Sequence, residues 1–393
     1  MKKLLNPLLV ADFYKESHRE QYPTGTQKVF STWTPRTSRM EGVNEVVCFG
    51  LQGFIKKYLI DYFNDNFFNQ PKEDVVASFD RMLRYPLGKS TVDVSHVEAL
   101  HDLGYLPIEI KAVKEGTLVP IRVPMFTIEN TLPEFFWLTN FLETLLSCEI
   151  WQPMTSATIA HQYRKIVDKY ADETVGNRDH VPFQCHDFSM RGMGSLETAE
   201  ISGAGHLLSF SGTDTIPSIA YLEDYYGANV ENELVGSSIS ATEHSVMCSY
   251  GQVNELELFK HLLLDVYPTG FFSAVSDTWD LWKVVTEYVP ALKEEILSRD
   301  GRLVIRPDSG DPVKIVCGDE SAPMGSPQYK GVVELLWDAI GGTVNDLGYK
   351  VLDGHIGCIY GDSITLERCE QMCEGLKKKG FASCNIVFGV GLF

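Results

Sequence analysis

From about residue 180 onward the chain repeats one pattern. A short apolar run of strand character passes into a turn dense in polar and charged residues, and several of these turns lead into a helical segment. The run at 183–185 passes into His186-Asp187-Phe188-Ser189-Met190-Arg191-Gly192, and the helix after it leads to a second polar turn, Ser211-Gly212-Thr213-Asp214. The runs at 237–241, 271–276 and 303–305 pass into Thr242-Glu243-His244-Ser245, Asp277-Thr278-Trp279-Asp280 and Arg306-Pro307-Asp308-Ser309-Gly310. Those at 355–360 and 385–387 pass into Gly361-Asp362-Ser363 and Phe388-Gly389-Val390-Gly391. The clearest helices span 278–297 and 366–379. In a parallel α/β sheet or barrel the carboxyl ends of the strands share one face. One loaded turn is an ordinary loop; six in series predict an α/β barrel-like enzyme with its site on that face.

Residues 1–150 read differently and predict a β-rich N-terminal domain with helices packing toward the barrel; residues 151–393 are expected to form the α/β barrel-like catalytic domain. Strands are expected at 27–34 and 45–49, and a helix at 51–63 with Phe54, Ile55, Tyr58, Leu59 and Tyr62 on one stripe. A short helix is expected at 91–101, and alternation over 107–130 predicts antiparallel strands. Helices are expected at 135–149, after Pro133, and separately at 158–173.

The formal net charge of −19 repels nucleic acid and anionic lipid. An anionic ligand would therefore need its own local cations and backbone N–H groups. The apolar stretch at 135–151 is broken by Asn140, Glu143 and Glu149, and the short apolar N-terminus meets Pro7 and Asp12, so a cytoplasmic location is expected. Nine scattered cysteines without a Cys-x-x-Cys pair predict free thiols, with Cys369 and Cys373 on one buried helix face.

The turns suggest a phosphorylated sugar as ligand. Arg306 can hold a phosphate through its forked guanidinium, and Asp308 can accept from vicinal hydroxyls. The turns at Gly361-Asp362-Ser363 and Gly389-Val390-Gly391 can cradle phosphate with backbone N–H groups. His244 stands near the start of an expected helix, with Thr242 as its cap, a position that keeps an imidazole neutral and nucleophilic. Glu243 and Asp277 are candidates to orient its ring. Phe188 offers a flat face for a heteroaromatic ring. Asp214 can accept from an amide NH₂ and would repel a carboxylate. Each also has a plain alternative: His244 and Asp214 as helix caps, Phe188 as core.

Taken with Leu9-Val10-Ala11-Asp12-Phe13-Tyr14-Lys15, Phe49-Gly50-Leu51-Gln52 and Leu106-Pro107-Ile108-Glu109-Ile110-Lys111-Ala112-Val113, these turns resemble the nicotinamide phosphoribosyltransferases over nearly the whole chain. The resemblance implies a type II phosphoribosyltransferase fold, an irregular α/β barrel with a mixed β-rich domain, assembled as a homodimer with shared active sites. It implies nicotinamide plus phosphoribosyl pyrophosphate giving nicotinamide mononucleotide plus pyrophosphate, with Mg2+, and coupled hydrolysis of ATP through a phosphohistidine. By position, the resemblance makes His244 that histidine, supported by Glu243 and Asp277. It places Phe188 and Tyr14, the latter from the second subunit, on the two faces of the pyridine ring, and Asp214 on the carboxamide. Arg191, Arg306 and, across the dimer, Arg36 would meet phosphate oxygens. Asp308 would hold the ribose, and Gly361, Asp362, Gly391 and Leu392 the nucleotide phosphate.

The sequence stops at Val390-Gly391-Leu392-Phe393, where the family continues through a further strand and basic phosphate-binding residues, and Leu392 stands where the family has a small residue. A chain shortened at its C-terminus is therefore expected. Two alternatives stay open at this point: a nicotinate-specific phosphoribosyltransferase, which Asp214 argues against, and a catalytically weak binding or dimerisation partner.

Overall fold

The computed structural model describes residues 5–391 and divides the chain into two compact units. The first comprises Met1–Thr158 with Ala220–Ala228, and the second Ile159–Ile219 with Asn229–Phe393.

The first unit carries β1 (Phe30–Trp33), β2 (Glu45–Val47), β3 (Ile108–Ala112), β4 (Leu118–Pro120) and β5 (Phe126–Asn130). They form an antiparallel sheet in the order β1-β5-β3 and a separate antiparallel pair, β2 with β4. All lie within the segments where strands are expected, 27–34, 45–49 and 107–130. The helix expected from residue 51 continues to Phe68 and is π-widened over Ile55–Tyr62 and Asn64–Phe68. It buries Phe54, Phe63 and Phe67. A helix over Lys72–Arg84 was not expected; Val75, Phe79 and Leu83, four residues apart, form its buried stripe. The helix expected at 91–101 occupies Ser95–Leu103.

The two helices expected at 135–149 and 158–173 are instead a short one, Leu138–Phe141, and a 32-residue one, Glu143–Thr174, that runs through Pro153. Proline in a helix interior removes one hydrogen bond and crowds the preceding turn. Here its ring has room because the facing residue is Gly50. A Cβ on Gly50 would stand 2.6 Å from Pro153 Cγ, and Gly50 holds a left-handed φ of +96° that favours glycine. Residues 220–228 close the first unit through tyrosines. A Cβ on Gly53 would come 1.8 Å from Tyr221 Oη, and Gln52 Nε2 donates to the Tyr225 carbonyl at 2.8 Å.

The second unit contains β6 (Cys185–Asp187), β7 (Gly212–Thr213), β8 (Ser240–Ala241), β9 (Thr269–Val275), β10 (Asp300–Arg306), β11 (Gly342–Val344), β12 (Lys350–Leu352), β13 (Ile356–Tyr360) and β14 (Val387–Val390). β11 and β12 form a hairpin. The other seven make one parallel sheet in the order β7-β6-β14-β13-β10-β9-β8. Its edges are linked by a parallel bridge between Gly212 and Ser237, just ahead of β8, so the sheet curls back on itself as an irregular barrel. Phe272, Leu303, Ile305, Ile356, Cys358, Tyr360 and Phe388 fill its core. All nine cysteines are unpaired, and Cys369 and Cys373 are fully buried.

Four boundaries differ from expectation. Residues 181–183 form a 3₁₀ turn, and the strand lies two residues later than the run at 183–185, so His186 and Asp187 belong to β6 and not to a turn. The expected polar turn at 211–214 contains a seventh strand, β7. Gly389 and Val390 lie within β14, paired with His186 and Asp187 of β6, so that glycine turn begins only at Gly391. The helix expected from 278 starts at Leu281, where Asp280 caps it by accepting from Trp282 N and Lys283 N. No helix among the described residues is long and apolar enough to cross a membrane.

Candidate active site

Residues after the carboxyl ends of β6, β7, β10, β13 and β14 line one cleft of about 630 Å³. Phe188, Arg191, Asp214, Arg306, Asp308, Gly361, Asp362 and Gly391 all face it. Eight of the fourteen residues singled out in the sequence therefore meet at one place, although they span more than two hundred positions. Leu392 lies outside the described residues.

Along β6 side chains alternate between faces. Asp187 points inward and is fully buried. Its Oδ2 accepts from the hydroxyls of Thr213 (3.0 Å) and Thr215 (2.7 Å), and its Oδ1 from Ser189 N (2.9 Å). These bonds tie the turn after β6 to the turn after β7 and fix Phe188 relative to Asp214. His186 and Phe188 point the other way, their ring centroids 5.0 Å apart.

The half-buried ring of Phe188 rests on glycine. A Cβ on Gly389 would stand 2.4 Å from its Cδ2 and Cε2, and one on Gly361 would stand 2.9 Å from Cε2. The glycines expected to cradle phosphate thus have a prior steric duty: they let an aromatic ring lie against two adjacent strands. The Asp214 carboxylate is shaped by His186, whose Nε2 lies 2.8 Å from Oδ1, and by the Ser238 hydroxyl, which donates to the same oxygen at 2.6 Å. Burial alone would raise its pKa; the bonds from His186 and Ser238 and the charge of Arg306 outweigh that and hold it below the ordinary value. Neither His186 nor Ser238 was singled out in the sequence. The period-two alternation along β6, which puts His186 on the face of Phe188, is the signal that could have found the histidine.

Anion-binding capacity comes from Arg191 and Arg306. Arg191 lies in a single 3₁₀ turn, Met190–Gly192, and is exposed. Arg306 ends β10; one of its terminal nitrogens donates to the Thr242 carbonyl at 2.7 Å, while its buried Nε has no hydrogen-bond partner. A buried donor without an acceptor costs about 1–3 kcal/mol, so a ligand oxygen there would be stabilising. The Asp362 carboxylate accepts from Ser363 at 2.8 Å, and Ser363 holds a left-handed φ of +56° in the same turn.

His244 is the first residue of the helix His244–Tyr250. It is half exposed, and its Nε2 stands 3.4 Å from Asp277 Oδ1, a buried atom with no hydrogen-bond partner. The other oxygen of Asp277 accepts from Asp308 N at 2.9 Å and from the Ser309 hydroxyl at 2.5 Å. One carboxylate therefore joins His244 to the turn that carries Asp308. Glu243 does not share this duty, contrary to expectation: its carboxylate takes the hydroxyl of Ser245, two residues along. Thr242 does not cap the helix either. Its hydroxyl accepts from Val275 N at 2.9 Å and so extends the β8–β9 pairing.

Tyr14 and Arg36 belong to the first unit. They line a separate cavity of about 1050 Å³ there, with Lys15, His18, Trp33 and Trp151. Tyr14 is 56% exposed, with His18 edge-on to its ring at 4.8 Å and the Lys15 ammonium 5.1 Å from the ring centroid.

The profile of the nicotinate phosphoribosyltransferase (NAPRTase) family matches residues 183–393, and that of the nicotinamide phosphoribosyltransferase N-terminal domain matches 6–110. A nicotinamide phosphoribosyltransferase of Acinetobacter baylyi is 50% identical over 400 aligned residues, which cover 99% of this chain and 79% of that protein. The chain belongs to the nicotinamide phosphoribosyltransferase family. Relatives of the same name from Mycoplasma pneumoniae (36% identical, 98% and 85% covered) and Xanthomonas campestris (34%, 100% and 78%) agree. Two solved structures resemble the fold of this family member at low identity. Human nicotinic acid phosphoribosyltransferase gives a TM-score of 0.53 at 16% identity, covering 97% of this chain and 72% of that one. A nicotinate-nucleotide pyrophosphorylase of Pyrococcus furiosus gives 0.52 at 15%, covering 100% and 74%.

Proposed function

We propose that this protein transfers the phosphoribosyl group of phosphoribosyl pyrophosphate to nicotinamide, giving nicotinamide mononucleotide and pyrophosphate for NAD salvage. The observation that carries the reading is the pairing of Phe188 with an ionised Asp214 in a cleft that also holds two arginines. The ring of nicotinamide stacks on Phe188, its carboxamide donates to Asp214, and Arg191 and Arg306 face the phosphates. The pyridine nitrogen attacks the anomeric carbon as the bond to pyrophosphate breaks, so positive charge builds on the sugar and negative charge on the leaving group. The arginines stabilise the leaving group, and the stacked ring is held in line for attack. Asp308 is assigned to the ribose hydroxyls, and Gly361, Asp362 and Gly391 to the nucleotide phosphate.

Magnesium belongs to the proposal as part of the substrate complex. Among the described residues no group of three or more His, Cys, Asp or Glu side chains could hold a metal ion. One or two carboxylates, Asp308 and Asp362, facing phosphate oxygens suit magnesium, which keeps water and substrate as its other ligands. When bound it neutralises charge on the pyrophosphate.

Coupled ATP hydrolysis through a phosphorylated His244 is also proposed. It is supported by the exposed imidazole beside Asp277 and by the grip of Asp277 on the turn of Asp308. A charge added at His244 would then bias the ribose-binding turn. A homodimer in which one protomer supplies Tyr14 and Arg36 to the other's site, and a cytoplasmic location, complete the reading; the exposure of Tyr14 and its shared cavity with Arg36 support the first.

The test is product formation by the purified chain from phosphoribosyl pyrophosphate with nicotinamide or nicotinate, each with and without ATP. Faster turnover of nicotinate, or no product under any condition, would sink the proposal.

A further inference from the structure

Three chain segments converge on one oxygen of Asp214. His186 reaches it from β6 and Ser238 from the strand-like segment after the bridge at Ser237, while Asp214 itself follows β7. Because an ionised carboxylate only accepts, His186 Nε2 carries the proton. The His186 side chain is 12% exposed and its ring is caged: a Cβ on Gly212 would stand 2.7 Å from its Nδ1, and Phe188 lies on another side. Held between Gly212 and Phe188, the ring donates from Nε2 to Asp214 Oδ1. Two donors fill both lone pairs of Oδ1. Oδ2 takes no protein hydrogen bond among the described residues and is the acceptor left for the cleft.

From this geometry, and resting on the assignment of Asp214 to the ring substituent, we infer that His186 and Ser238 are specificity-positioning residues: by saturating Oδ1 they present Asp214 Oδ2 as a fixed acceptor that takes a carboxamide NH₂ and refuses a carboxylate. A carboxylate held by one donor, or by none, can rotate. It can also take up a proton and donate to the carboxylate of nicotinate. Discrimination thus resides in the donors behind Asp214 as well as in Asp214 itself. The charged and titratable groups around it are His186 from β6, Arg191 from the turn after β6, Arg306 from β10, and Asp308 and Asp362 across the cleft.

The experiment measures KM for nicotinamide, KM for phosphoribosyl pyrophosphate, and the ratio of kcat/KM for nicotinamide over nicotinate. The full chain is compared with His186→Ala, His186→Gln, Ser238→Ala and Asp214→Ser. Loss of one hydrogen bond to a charged group is worth roughly tenfold or more. His186→Ala and Ser238→Ala should each raise the nicotinamide KM and lower the amide-to-acid ratio by about that factor. The KM for phosphoribosyl pyrophosphate should stay within about twofold. His186→Gln, which can still donate from a similar reach, should recover part of the ratio. In the Ala variants use of nicotinate should rise as pH falls, while the unaltered chain shows no such rise. Ser238 is exposed, so its variant tests the inference even where His186→Ala fails to fold. If Asp214→Ser collapses the ratio but Ser238→Ala and the His186 variants leave it unchanged, the inference is wrong and the site assignment stands. Should His186→Ala and His186→Gln raise both KM values alike and lower stability alike, His186 is only a packing residue and the inference is again wrong. An unchanged ratio in Asp214→Ser overturns the assignment, and the inference with it.

Discussion

Replacing Gly389 with alanine tests whether the position of the Phe188 ring is set by strand β14. The added Cβ would stand 2.4 Å from two ring carbons and 2.7 Å from Gly361 Cα. Ordinary contact between carbons lies near ~3.5 Å, so ring or backbone must retreat by about 1 Å. β14 is hydrogen-bonded to β6 on one side and β13 on the other and cannot yield alone. The ring is the softer element, and it moves into the cleft. Overpacking of this kind costs about 1–3 kcal/mol, and a displacement of ~1 Å at a reacting partner can cost about a hundredfold in rate. Thermal unfolding and steady-state kinetics on Gly389→Ala should show a lower midpoint and a nicotinamide KM raised at least about tenfold. The KM for phosphoribosyl pyrophosphate should change far less. Combining Gly389→Ala with Phe188→Leu should restore much of the stability without restoring nicotinamide binding, a coupling of about 1 kcal/mol or more. If Gly389→Ala changes neither midpoint nor KM, the ring is not held by these glycines and the steric reasoning fails.

Other expectations are more local. Burial pushes the His206 imidazole down to about 4, so the folded state resists a proton that the unfolded chain accepts. Its share of stability is intact above about pH 6.5 and is lost as pH falls toward 4, up to about 3 kcal/mol. Glu255 and Glu16, raised by burial to about 7 and about 8, slope the other way, and His96, also lowered to about 4, adds to the His206 effect. The readout is therefore the difference between unfolding curves of the unaltered chain and His206→Gln, which should narrow below pH 6.5; parallel curves would remove the argument. Gly50→Ala should lose about 1–3 kcal/mol through collision with Pro153 and its left-handed backbone. Pro153→Ala in the same chain should return part of that loss in a denaturant titration. After incubation with ATP an acid-labile phosphate should appear on the chain and be missing from His244→Ala; equal labelling would place the phosphate elsewhere.

The curled sheet was legible in the sequence because each strand announced itself twice, by an apolar run and by the polar turn that ended it. β7 escaped because two residues make no pattern, and its strand character comes from the bonds of Asp187 and Ser237, which are remote in sequence. The carboxyl end of β14 departs from expectation for a related reason. Phe388-Gly389-Val390 has the composition of a turn, and only the ring of Phe188 explains why glycine stands inside a strand there. The long helix stays continuous through Pro153 because Gly50 leaves room for the ring, and Gly50 lies a hundred residues earlier, beyond the reach of any local pattern. In the cleft, Arg306, Asp308, Phe188 and Asp214 could be picked out because residue type and turn position agreed. His186 and Ser238 act through a third residue, and such roles show only when distant segments are brought together. Glu243 misled because adjacency to His244 in sequence suggested contact, whereas its carboxylate turns to Ser245.

The tyrosine-bearing segment 220–228 has a consequence for how this chain can be cut or inherited. The hollow over Gly53 is filled by Tyr221, from a helix whose first turn, from Ile216, is counted with the other unit. No single cleavage point therefore separates the two units. A fragment ending at Thr158 would keep the hollow and lose its filling, and one beginning at Ile159 would carry Tyr221, buried in the intact chain, without the surface that covers it. Exchange of units between relatives would have to move Gly53 and Tyr221 together, so these two positions, far apart in the chain, form one heritable unit.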